Sequence, residues 1–376
     1  MKVKVLFVHN SIPEYRVQFW NYLSNLADTT IVSTNKGKED RIYHLKKDIG
    51  KLNIKYWNKD LRQYLNNYIN KWDIVILPPV ENINDFQIAW YLNRLCRSKK
   101  VPFIYWTEKW ILPNSRPVRK IIKDYLKTQL IKIVSKNARL FIASGSKSAE
   151  YLNKNVKVPK SKIQVVYDSS TSPIIQNKLN IRKKYKIPKS SKIILYLGRL
   201  IPRKGCVLLI KSIQSILKPN GWYLIIGGTG DEESLKSIYS KNSHIIFVGK
   251  VQPNIRRKFY EQSNVFVLPS YAKNGIIEAW GLTINEALEC GLPVVTTKAV
   301  GAAYDLIDED NGIVVEDNNT LELKKAIETI LNEKRYQNKI KISKKYQAKY
   351  SVKQMAKNFF DVISLLLSVK DNENEN

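Results

Sequence analysis

The chain has 376 residues, with 63 lysines and arginines against 33 aspartates and glutamates, which gives a formal net charge of +30. An apolar fraction of 44% is enough to build two cores, and the three cysteines have no paired spacing. These features exclude global disorder, a disulfide scaffold, a zinc ribbon and a CxxC redox site. Because no apolar run approaches the ~20 residues that span a bilayer, and MKVKVLFVHN is too short for a signal peptide, we expect a cytoplasmic protein, or one attached to a membrane face without crossing it.

Short apolar, β-branched runs alternate with helical patterns throughout the first half of the chain. The predicted strands there are Val3–Val8, Thr30–Ser33, Asp73–Leu77, Phe103–Trp106, Leu140–Ala143 and Ile163–Val166. The predicted helices between them are Tyr15–Leu26, Leu61–Ile69, Phe86–Cys96 and Val118–Ser135. At 171–191 two prolines and a basic run interrupt this alternation, which indicates a link between domains.

The same alternation resumes in the second half of the chain. Its predicted strands are Lys192–Leu197, Tyr223–Ile226, His244–Val248, Val265–Leu268, Pro293–Thr296 and Gly312–Val315. Apolar strands alternating with helices imply parallel sheets that are covered on both faces. We therefore expect an α/β protein with two doubly wound, Rossmann-like domains that face each other across a cleft, at 1–178 and 179–351. A final amphipathic helix, 352–367, is expected to pack back on the first domain, and the polar tail 368–376 to be disordered.

The loop after the first predicted strand is where a dinucleotide-binding domain would hold its pyrophosphate. The strand ends in HNSIPEYR, without the glycines that a tight turn around a pyrophosphate requires, which argues against a nicotinamide or flavin enzyme. Gly227, Gly228 and Gly230 do follow a predicted strand and precede a helix. By themselves they are also typical of an ordinary strand-to-helix turn.

The segment VFVLPSYAKNGIIEAWGLTINEALECGLPVVTT contains a stronger signal. A strand leads through a polar loop to Glu278 and Gly281, and a helix is predicted to begin at Leu282. The free N–H groups and the positive dipole end of such a helix favour a phosphate, and glycine allows the backbone to come close to it. Glu286 lies one turn inside the helix on the same face as Leu282, where a carboxylate can accept the hydroxyls of a ribose. Taken alone, a glutamate at a helix start is also typical of a dipole partner or cap.

A second cluster follows the strand Lys192–Leu197. Gly198 and Arg199 come first, and Arg203, Lys204 and Gly205 stand at the opening of another helix. Cations at the carboxyl end of a parallel strand are well placed to hold a diphosphate. A solvated basic loop is the alternative for a chain this basic, but both clusters lie at strand carboxyl ends of one domain and support each other.

The motifs GRLIPRKG, GGTGDE, FVGKV and EAWGLTINEALECGLPVV resemble, in order and spacing, the nucleotide-binding domain of family 4 glycosyltransferases of the GT-B fold. The resemblance covers about 190–310. It implies a retaining transferase that uses a nucleotide-sugar as substrate, with no cofactor and no metal.

The same resemblance implies roles for individual residues of the second half. Arg199 and Lys204 would hold the diphosphate, together with the backbone N–H groups of Leu282 and Thr283. The remaining implied contacts are Glu286 with the ribose, Glu278 with the donor sugar, and the loop at Lys250–Val251 with the base, beside the glycines Gly198, Gly228 and Gly281.

The first half resembles the family less closely. Its loop after the first strand reads Ser11-Ile12-Pro13-Glu14-Tyr15-Arg16, and the Pro-x-Tyr-Arg start resembles a subgroup of bacterial surface-polysaccharide transferases. Where the family often has a histidine that touches the donor sugar, this chain has YWTEKW, which places Thr107 or Glu108 there. The residues expected on the acceptor side are His9, Tyr15, Arg16 and Glu108, although a packed strand-end role for His9 remains the alternative.

Other polar groups receive no catalytic role. His44 and His244 are left without one. The triplet Asp308-Glu309-Asp310 resembles a metal-binding motif but precedes Asn311-Gly312, which is typical of a solvated turn. We therefore expect no metal site.

Positive charge is concentrated in the first half of the chain. Residues 1–180 contain 32 basic and 13 acidic side chains, a net of +19, whereas residues 181–376 contain 31 and 20, a net of +11. Segment 116–139 can form an apolar stripe flanked by lysines. The stripe is expected to cover the sheet while the lysines rest on anionic headgroups, which would explain the charge of a chain without a spanning helix.

These features predict a glycosyltransferase that moves a sugar from a nucleotide-sugar donor to a saccharide or lipid-linked acceptor. The second domain would bind the donor and the first the acceptor, at the inner face of the cell membrane. Two alternatives remain: a sugar-nucleotide epimerase, which shares the GT-B architecture, and a basic nucleic-acid-binding protein. Against the second, the bases are not interleaved with aromatic residues and no recognised binding motif is present, so no nucleic-acid partner is expected.

Overall fold

A computed structural model describes residues 2–34, 52–112, 117–171, 179–217 and 221–374, with the side chains of 369–374 left out. The chain divides into two compact units. The first unit comprises Met1–Trp110, Pro117–Asp168 and Val352–Asn376, and the second comprises Ile111–Arg116 and Ser169–Ser351. Among the described residues, no helix is both long and apolar enough to cross a membrane.

The first unit is built on a seven-stranded parallel sheet with the strand order β3-β2-β1-β4-β5-β6-β7. Its strands are β1 (Lys4–His9), β2 (Asp28–Ser33), β3 (Asn53–Tyr56), β4 (Ile74–Leu77), β5 (Phe103–Thr107), β6 (Leu140–Ala143) and β7 (Ile163–Val165). Its helices are α1 (Glu14–Leu26), α2 (Lys59–Tyr68), α3 (Ile83–Ser98), α4 (Val118–Ser135), α5 (Ser146–Tyr151) and, from the end of the chain, α14 (Val352–Asn374).

The C-terminal helix α14 completes the core of the first unit. Phe359 lies at ring-centroid distances of 5.5 Å from Phe7, 5.4 Å from Phe19 and 5.8 Å from Trp106. All four side chains are buried in one apolar cluster. Aromatic side chains packed at such distances contribute both buried area and edge-to-face attraction. The helix therefore lies in the first unit, where the sequence places it.

The second unit contains a six-stranded parallel sheet with the strand order β10-β9-β8-β11-β12-β13. Its strands are β8 (Ile193–Leu197), β9 (Tyr223–Gly227), β10 (Ile245–Gly249), β11 (Val265–Leu268), β12 (Val294–Thr297) and β13 (Gly312–Val315). Its helices are α6 (Ile181–Lys184), α7 (Cys206–Leu217), α8 (Glu232–Tyr239), α9 (Pro253–Gln262), α10 (Leu282–Glu289), α11 (Ala303–Leu306), α12 (Thr320–Asn332) and α13 (Lys339–Tyr350).

Each sheet reverses its strand order once, and the reversal positions the candidate sites. In the first unit the order changes direction between β1 and β4, and in the second between β8 and β11. Connections leave such neighbouring strands on opposite sides, which opens a crevice at their carboxyl ends. The polar residues singled out in the sequence lie in, or in the first turns of the helices after, the loops that follow β1, β5, β8 and β11.

The described elements depart from the sequence predictions in three places. Strand β3 was not predicted, because Asn53–Tyr56 is short and only partly buried. The first unit reaches Asp168 before the chain enters the second, so the boundary lies earlier than 178. Helix α14 continues to Asn374, beyond the predicted helix end at 367, in a segment that contains no glycine or proline to end the helix.

Some predictions fall on residues outside the described part. These are His44, Arg116, the section 172–178 of the predicted link, and the last two residues of the tail.

Candidate active site

The loops that follow β8 and β9 lie against each other in the second unit. The Gly198 N–H donates to the Gly227 carbonyl at 3.0 Å, and the Leu200 N–H donates to the Thr229 carbonyl at 2.8 Å. Gly228 has φ +156°, and a Cβ added there would lie 1.7 Å from the Gly198 carbonyl oxygen. Glycine is therefore required at this position, since any side chain would force the two loops apart.

Glu278 binds both cations of the loop after β8. Lys204 Nζ lies 2.5 Å and Arg203 Nη1 2.9 Å from the same carboxylate oxygen, Oε2. Burial by itself would raise the pKa of Glu278, but Lys204 and Arg203 outweigh it and leave that pKa below its usual value. Burial also lowers the pKa of Lys204, although Glu278 opposes that effect.

Arg199 adds a third cation to this loop. Its side chain is exposed, and its positive charge helps to lower the pKa of Lys204. The loop thus contains three cations, two of which contact Glu278, so the single carboxylate only partly neutralises its positive charge. A di- or triphosphate would complete the charge balance.

Helix α10 begins at the carboxyl end of the sheet, with Gly281 as its N-cap. Gly281 has φ +104°, and an added Cβ would come within 2.8 Å of Val300 Cγ1. The next two residues, Leu282 and Thr283, are half-buried. Because the first N–H groups of a helix have no intrahelical acceptor and the dipole is positive there, this end of α10 favours an anion. The bridge between Glu278 and Val300 holds the preceding segment against the loop after β12.

Glu286 is buried in α10 and has two partners on helix α9. Arg256 Nη1 lies 3.0 Å from its Oε1, and the Tyr260 hydroxyl donates to its Oε2 at 2.8 Å. Both oxygens that the resemblance assigns to the ribose thus already accept hydrogen bonds. A ribose would have to share Glu286 with these two side chains or displace them.

Val251 lies at the edge of the same loops. A Cβ added to Gly227 would come within 2.8 Å of Val251 Cγ2 and 2.6 Å of Leu197 Cδ2. The residue predicted to border the base is thus beside the end of β9.

In the first unit, Arg16 joins two carboxylates that are distant from it in the chain. Its guanidinium makes two contacts with Asp168, one of them at 2.6 Å between Nη2 and Oδ2, and a further contact of 2.6 Å with Glu108 Oε1. Arg16 and Asp168 are fully buried, whereas Glu108 is half-buried. Burial and the neighbouring Asp168 charge raise the pKa of Glu108 to about 7, although Arg16 opposes them.

His9 and Tyr15 have different surroundings. The ring of His9 is buried, with ring centroids 5.5 Å from Trp106 and 6.0 Å from Trp20, and its Nδ1 lies 2.7 Å from the Ser11 carbonyl. Burial and Arg16 lower the pKa of His9 to about 4, so its ring is neutral at pH 7. Tyr15 is exposed and stacks with the Arg16 guanidinium 5.1 Å from its ring centroid. This geometry supports the packed strand-end alternative for His9.

Sequence reasoning missed three residues of these clusters. Arg256 and Tyr260 stand at i, i+4 spacing on α9, and this spacing alone could have indicated that they share a face. Asp168 follows the last strand of the first unit, and a single acid after a buried strand is a weak signal. Glu286 and Arg16 were predicted as site residues, but the side chains that pair with them were not.

The turn at Asp308-Glu309-Asp310 pairs with lysines. Lys345 Nζ lies 2.8 Å from Asp308 and Lys341 Nζ 3.1 Å from Asp310. Within the described part of the chain, no three histidine, cysteine or acidic side chains are grouped as metal ligands would be.

Residues 177–347 match the family model described as glycosyl transferases group 1. The matched segment coincides closely with the second unit, which contains the Glu278 and Glu286 clusters.

The chain is also similar to curated glycosyltransferases and to solved structures. An uncharacterized glycosyltransferase of Methanocaldococcus jannaschii is 26% identical over 56% of each chain, and the capsular polysaccharide biosynthesis glycosyltransferase CapM of Staphylococcus aureus is 30% identical over 42% of this chain and 41% of its own. The chain therefore matches about half the length of these relatives. The crystal structure of HepE from Anabaena in complex with UDP has a TM-score of 0.76 at 16% identity, covering 96% of this chain and all of that one. The prediction of two Rossmann-like, doubly wound domains of GT-B type is confirmed.

Proposed function

We propose that the protein is a retaining glycosyltransferase that moves a sugar from a nucleotide-sugar donor to a saccharide or lipid-linked saccharide acceptor. The products would belong to cell-surface polysaccharide or glycoconjugate synthesis, the process in the name of CapM. One observation carries the proposal most directly. Arg203 and Lys204, on a loop that also contains Arg199, contact Glu278 beside the start of α10. This cluster lies at the order reversal of the second sheet, where a nucleoside diphosphate binds in folds of this kind.

The donor is assigned to the second unit. Arg199 and Lys204 would hold the diphosphate with the N–H groups of Leu282 and Thr283, and Glu286 would hold the ribose. HepE has also been crystallised with UDP-glucose, which supports a nucleotide-sugar of this class. The acceptor is assigned to the first unit, around Arg16, Tyr15 and Glu108.

The transfer breaks the bond between the anomeric carbon and the diphosphate oxygen, and forms a bond between that carbon and the acceptor oxygen. Negative charge develops on the departing nucleoside diphosphate, where Arg199, Lys204 and the α10 N-terminus stabilise it without a metal. For retention, the acceptor attacks from the face that the diphosphate leaves, and its hydroxyl proton passes to a phosphate oxygen. Glu278 orients the donor sugar and holds Lys204 in place.

The test of the donor site uses nucleoside diphosphates. UDP and GDP are titrated by calorimetry into the wild-type protein and into Glu286→Gln. Loss of one charged acceptor is expected to weaken binding by about 1.5–3 kcal/mol. Glu289→Gln is the matched control, because Glu289 lies on the same helix, where it accepts a hydrogen bond from Thr171. If Glu286→Gln binds the nucleotide as tightly as the Glu289→Gln control and the wild type, Glu286 is not part of the site. If the wild type binds neither UDP nor GDP, the donor assignment is contradicted.

A second assay separates the transferase from the GT-B epimerase alternative. Nucleoside diphosphate release from UDP- and GDP-sugars is followed with and without candidate acceptors. A transferase releases it slowly alone and faster with acceptor. An epimerase would instead change the configuration of the donor sugar.

The excess of positive charge supports a location at the cytoplasmic face of the cell membrane, with an anionic membrane surface as partner. The same excess of positive charge is the observation that favours the alternative of a nucleic-acid-binding protein. Binding of a random DNA duplex at physiological salt with an affinity that matches or exceeds that for nucleotides would favour that alternative.

A further inference from the structure

Over its first half, helix α4 turns polar side chains inward and large apolar side chains outward. Asp124 and Thr128 are buried, whereas Val118, Tyr125 and Leu126 are 72%, 63% and 56% exposed. The expectation that the apolar stripe of this segment covers the sheet is therefore wrong for most of its members; Val134, near the end of α4, is buried. Over this half the helix is amphipathic, but its polar face lies inward and its apolar face is exposed, the opposite of an ordinary surface helix.

Polar contacts determine which face of α4 lies inward. Asp124 accepts from Lys120 at 2.8 Å and from Lys109 at 3.3 Å. The Thr128 hydroxyl lies 2.8 Å from the Tyr151 hydroxyl and donates to the Asp124 carbonyl at 2.7 Å. A rotation that buried the apolar face would break the contacts of Asp124 with Lys109 and of Thr128 with Tyr151, so the observed orientation is the favoured one.

The exposed apolar side chains of α4 lie on one face of the helix. They recur at intervals of three and four residues, which places them on one side of a helix. Six large side chains belong to this apolar face: Val118, Ile121, Ile122, Tyr125, Leu126 and Ile133. Single exposed apolar residues are common, but a contiguous group on one helix marks an interaction surface.

Cations border this face. Arg119 and Lys123 are exposed beside it, and Lys127 is half-buried. The single acid of the helix, Asp124, is buried beneath it. The accessible surface of the first half of α4 is thus apolar in the centre and positive at the margin, as in helices that lie in the plane of a membrane interface.

We propose that the apolar face of α4 inserts among the headgroups of an anionic phospholipid bilayer, with Arg119 and Lys123 on the lipid phosphates. The positive charge of Arg119 and Lys123 is complementary to anionic headgroups and therefore favours a membrane as the partner of this face. A second copy of the chain packed by the same face would bring two basic margins together, which repel each other. The inference rests on the proposed attachment to an anionic membrane and names the surface that makes it. It does not require transferase activity, because α4 is remote in sequence from the donor motifs.

Vesicle sedimentation of the full chain tests the proposal. Vesicles of phosphatidylcholine with phosphatidylglycerol are expected to bind the wild type, and vesicles of phosphatidylcholine alone to bind it much more weakly. The double variant Ile122→Ser with Leu126→Ser is expected to lose at least roughly tenfold in partitioning, because it removes apolar area that would enter the bilayer. Some wild-type binding is expected to survive at about 1 M salt, where the screening length is about 3 Å, because insertion is not screened.

The matched control removes apolar side chains elsewhere that are at least as exposed as Ile122 and Leu126. Leu321 and Ile340 are 71% and 70% exposed on the second unit, so Leu321→Ser with Ile340→Ser is expected to bind vesicles like the wild type. Because all four positions are exposed, both double variants are expected to fold like the wild type. Their thermal unfolding midpoints check this. An environment-sensitive fluorophore on Ile122→Cys is expected to shift to the blue on anionic vesicles, and one on Leu321→Cys is not.

Three outcomes would overturn the proposal. The wild type could ignore anionic vesicles at low salt. The α4 variant could bind as well as the wild type, which would leave surface charge alone as the attraction. Sedimentation velocity could show a dimer that Ile122→Ser with Leu126→Ser converts to monomers, which would make this face an interface between copies.

Discussion

Arg16 and Asp168 are 152 residues apart in the chain, yet both are fully buried and form a two-point ion pair. The Arg16 guanidinium also lies 4.8 Å from the Trp106 ring centroid and 3.9 Å from the Met355 sulfur. One side chain thus connects α1, β5, the segment after β7 and helix α14. This makes the pair a tertiary link of the first unit as well as a member of its candidate acceptor region.

The substitution Arg16→Met tests that structural role. It leaves Asp168 buried without its cation, and removing one partner of a buried pair costs about 3–5 kcal/mol. Chemical denaturation is expected to show a loss of this size in the free energy of unfolding of the first unit.

A surface pair provides the control for Arg16. Lys154 lies 2.6 Å from Glu150, and its side chain is largely exposed. Lys154→Met is expected to change the unfolding free energy by less than about 1 kcal/mol, because solvent screens such pairs. A similar small effect of Arg16→Met would contradict a structural role for the buried pair.

Gly228→Ala tests the close contact of the loops after β8 and β9. The added methyl group would meet the Gly198 carbonyl at 1.7 Å, so the loops must separate. We expect a loss of more than about 2 kcal/mol of stability and weaker nucleotide binding. Gly249→Ala is the control: Gly249 also has positive φ, +69°, but its nearest neighbour is the end of the Glu232 side chain at 3.7 Å. It is expected to cost about 1 kcal/mol.

His9 is expected to stay neutral well below neutral pH. With its pKa lowered to about 4 from 6.5, the unfolded chain binds a proton that the folded chain does not, so stability falls as pH decreases between those values. The shift corresponds to about 3 kcal/mol at the acid end of this window. NMR titration of the three histidines checks this, and the resonance missing in His9→Asn identifies His9. A midpoint near 6.5 would contradict the burial argument.

Lys204→Ala and Arg199→Ala test the stabilisation of the leaving group. If both cations act mainly on the charge that develops as the diphosphate departs, turnover is expected to fall more than nucleotide affinity. In Lys204→Ala, Arg203 remains 2.9 Å from Glu278, which preserves one partner of the carboxylate. Lys211→Ala, at an exposed position of α7, is the control. Activity is expected to persist in EDTA, and a requirement for a divalent metal would overturn the role assigned to the two cations.

The sequence by itself determined the two-domain α/β organisation. Strands such as Leu140–Ala143, Val265–Leu268 and Gly312–Val315 were predicted to the residue, because short β-branched and apolar runs fit a buried parallel sheet. It also determined where the polar loops follow the strands. Both predicted clusters follow strand carboxyl ends, which share one edge in a parallel sheet, and at that edge Lys204 and Glu278 form an ion pair.

Only the tertiary structure decided the partners of those loops. Arg256 and Tyr260 occupy both oxygens of Glu286, and Asp168 pairs with Arg16 across most of the first unit. The face of α4 that is buried was also decided there. Helical periodicity shows which side chains share a face, but not which neighbouring element that face meets. At Asp124 and Thr128, buried hydrogen bonds to Lys109 and Tyr151 outweighed the burial of Ile122 and Leu126, and these bonds depend on elements distant in the chain.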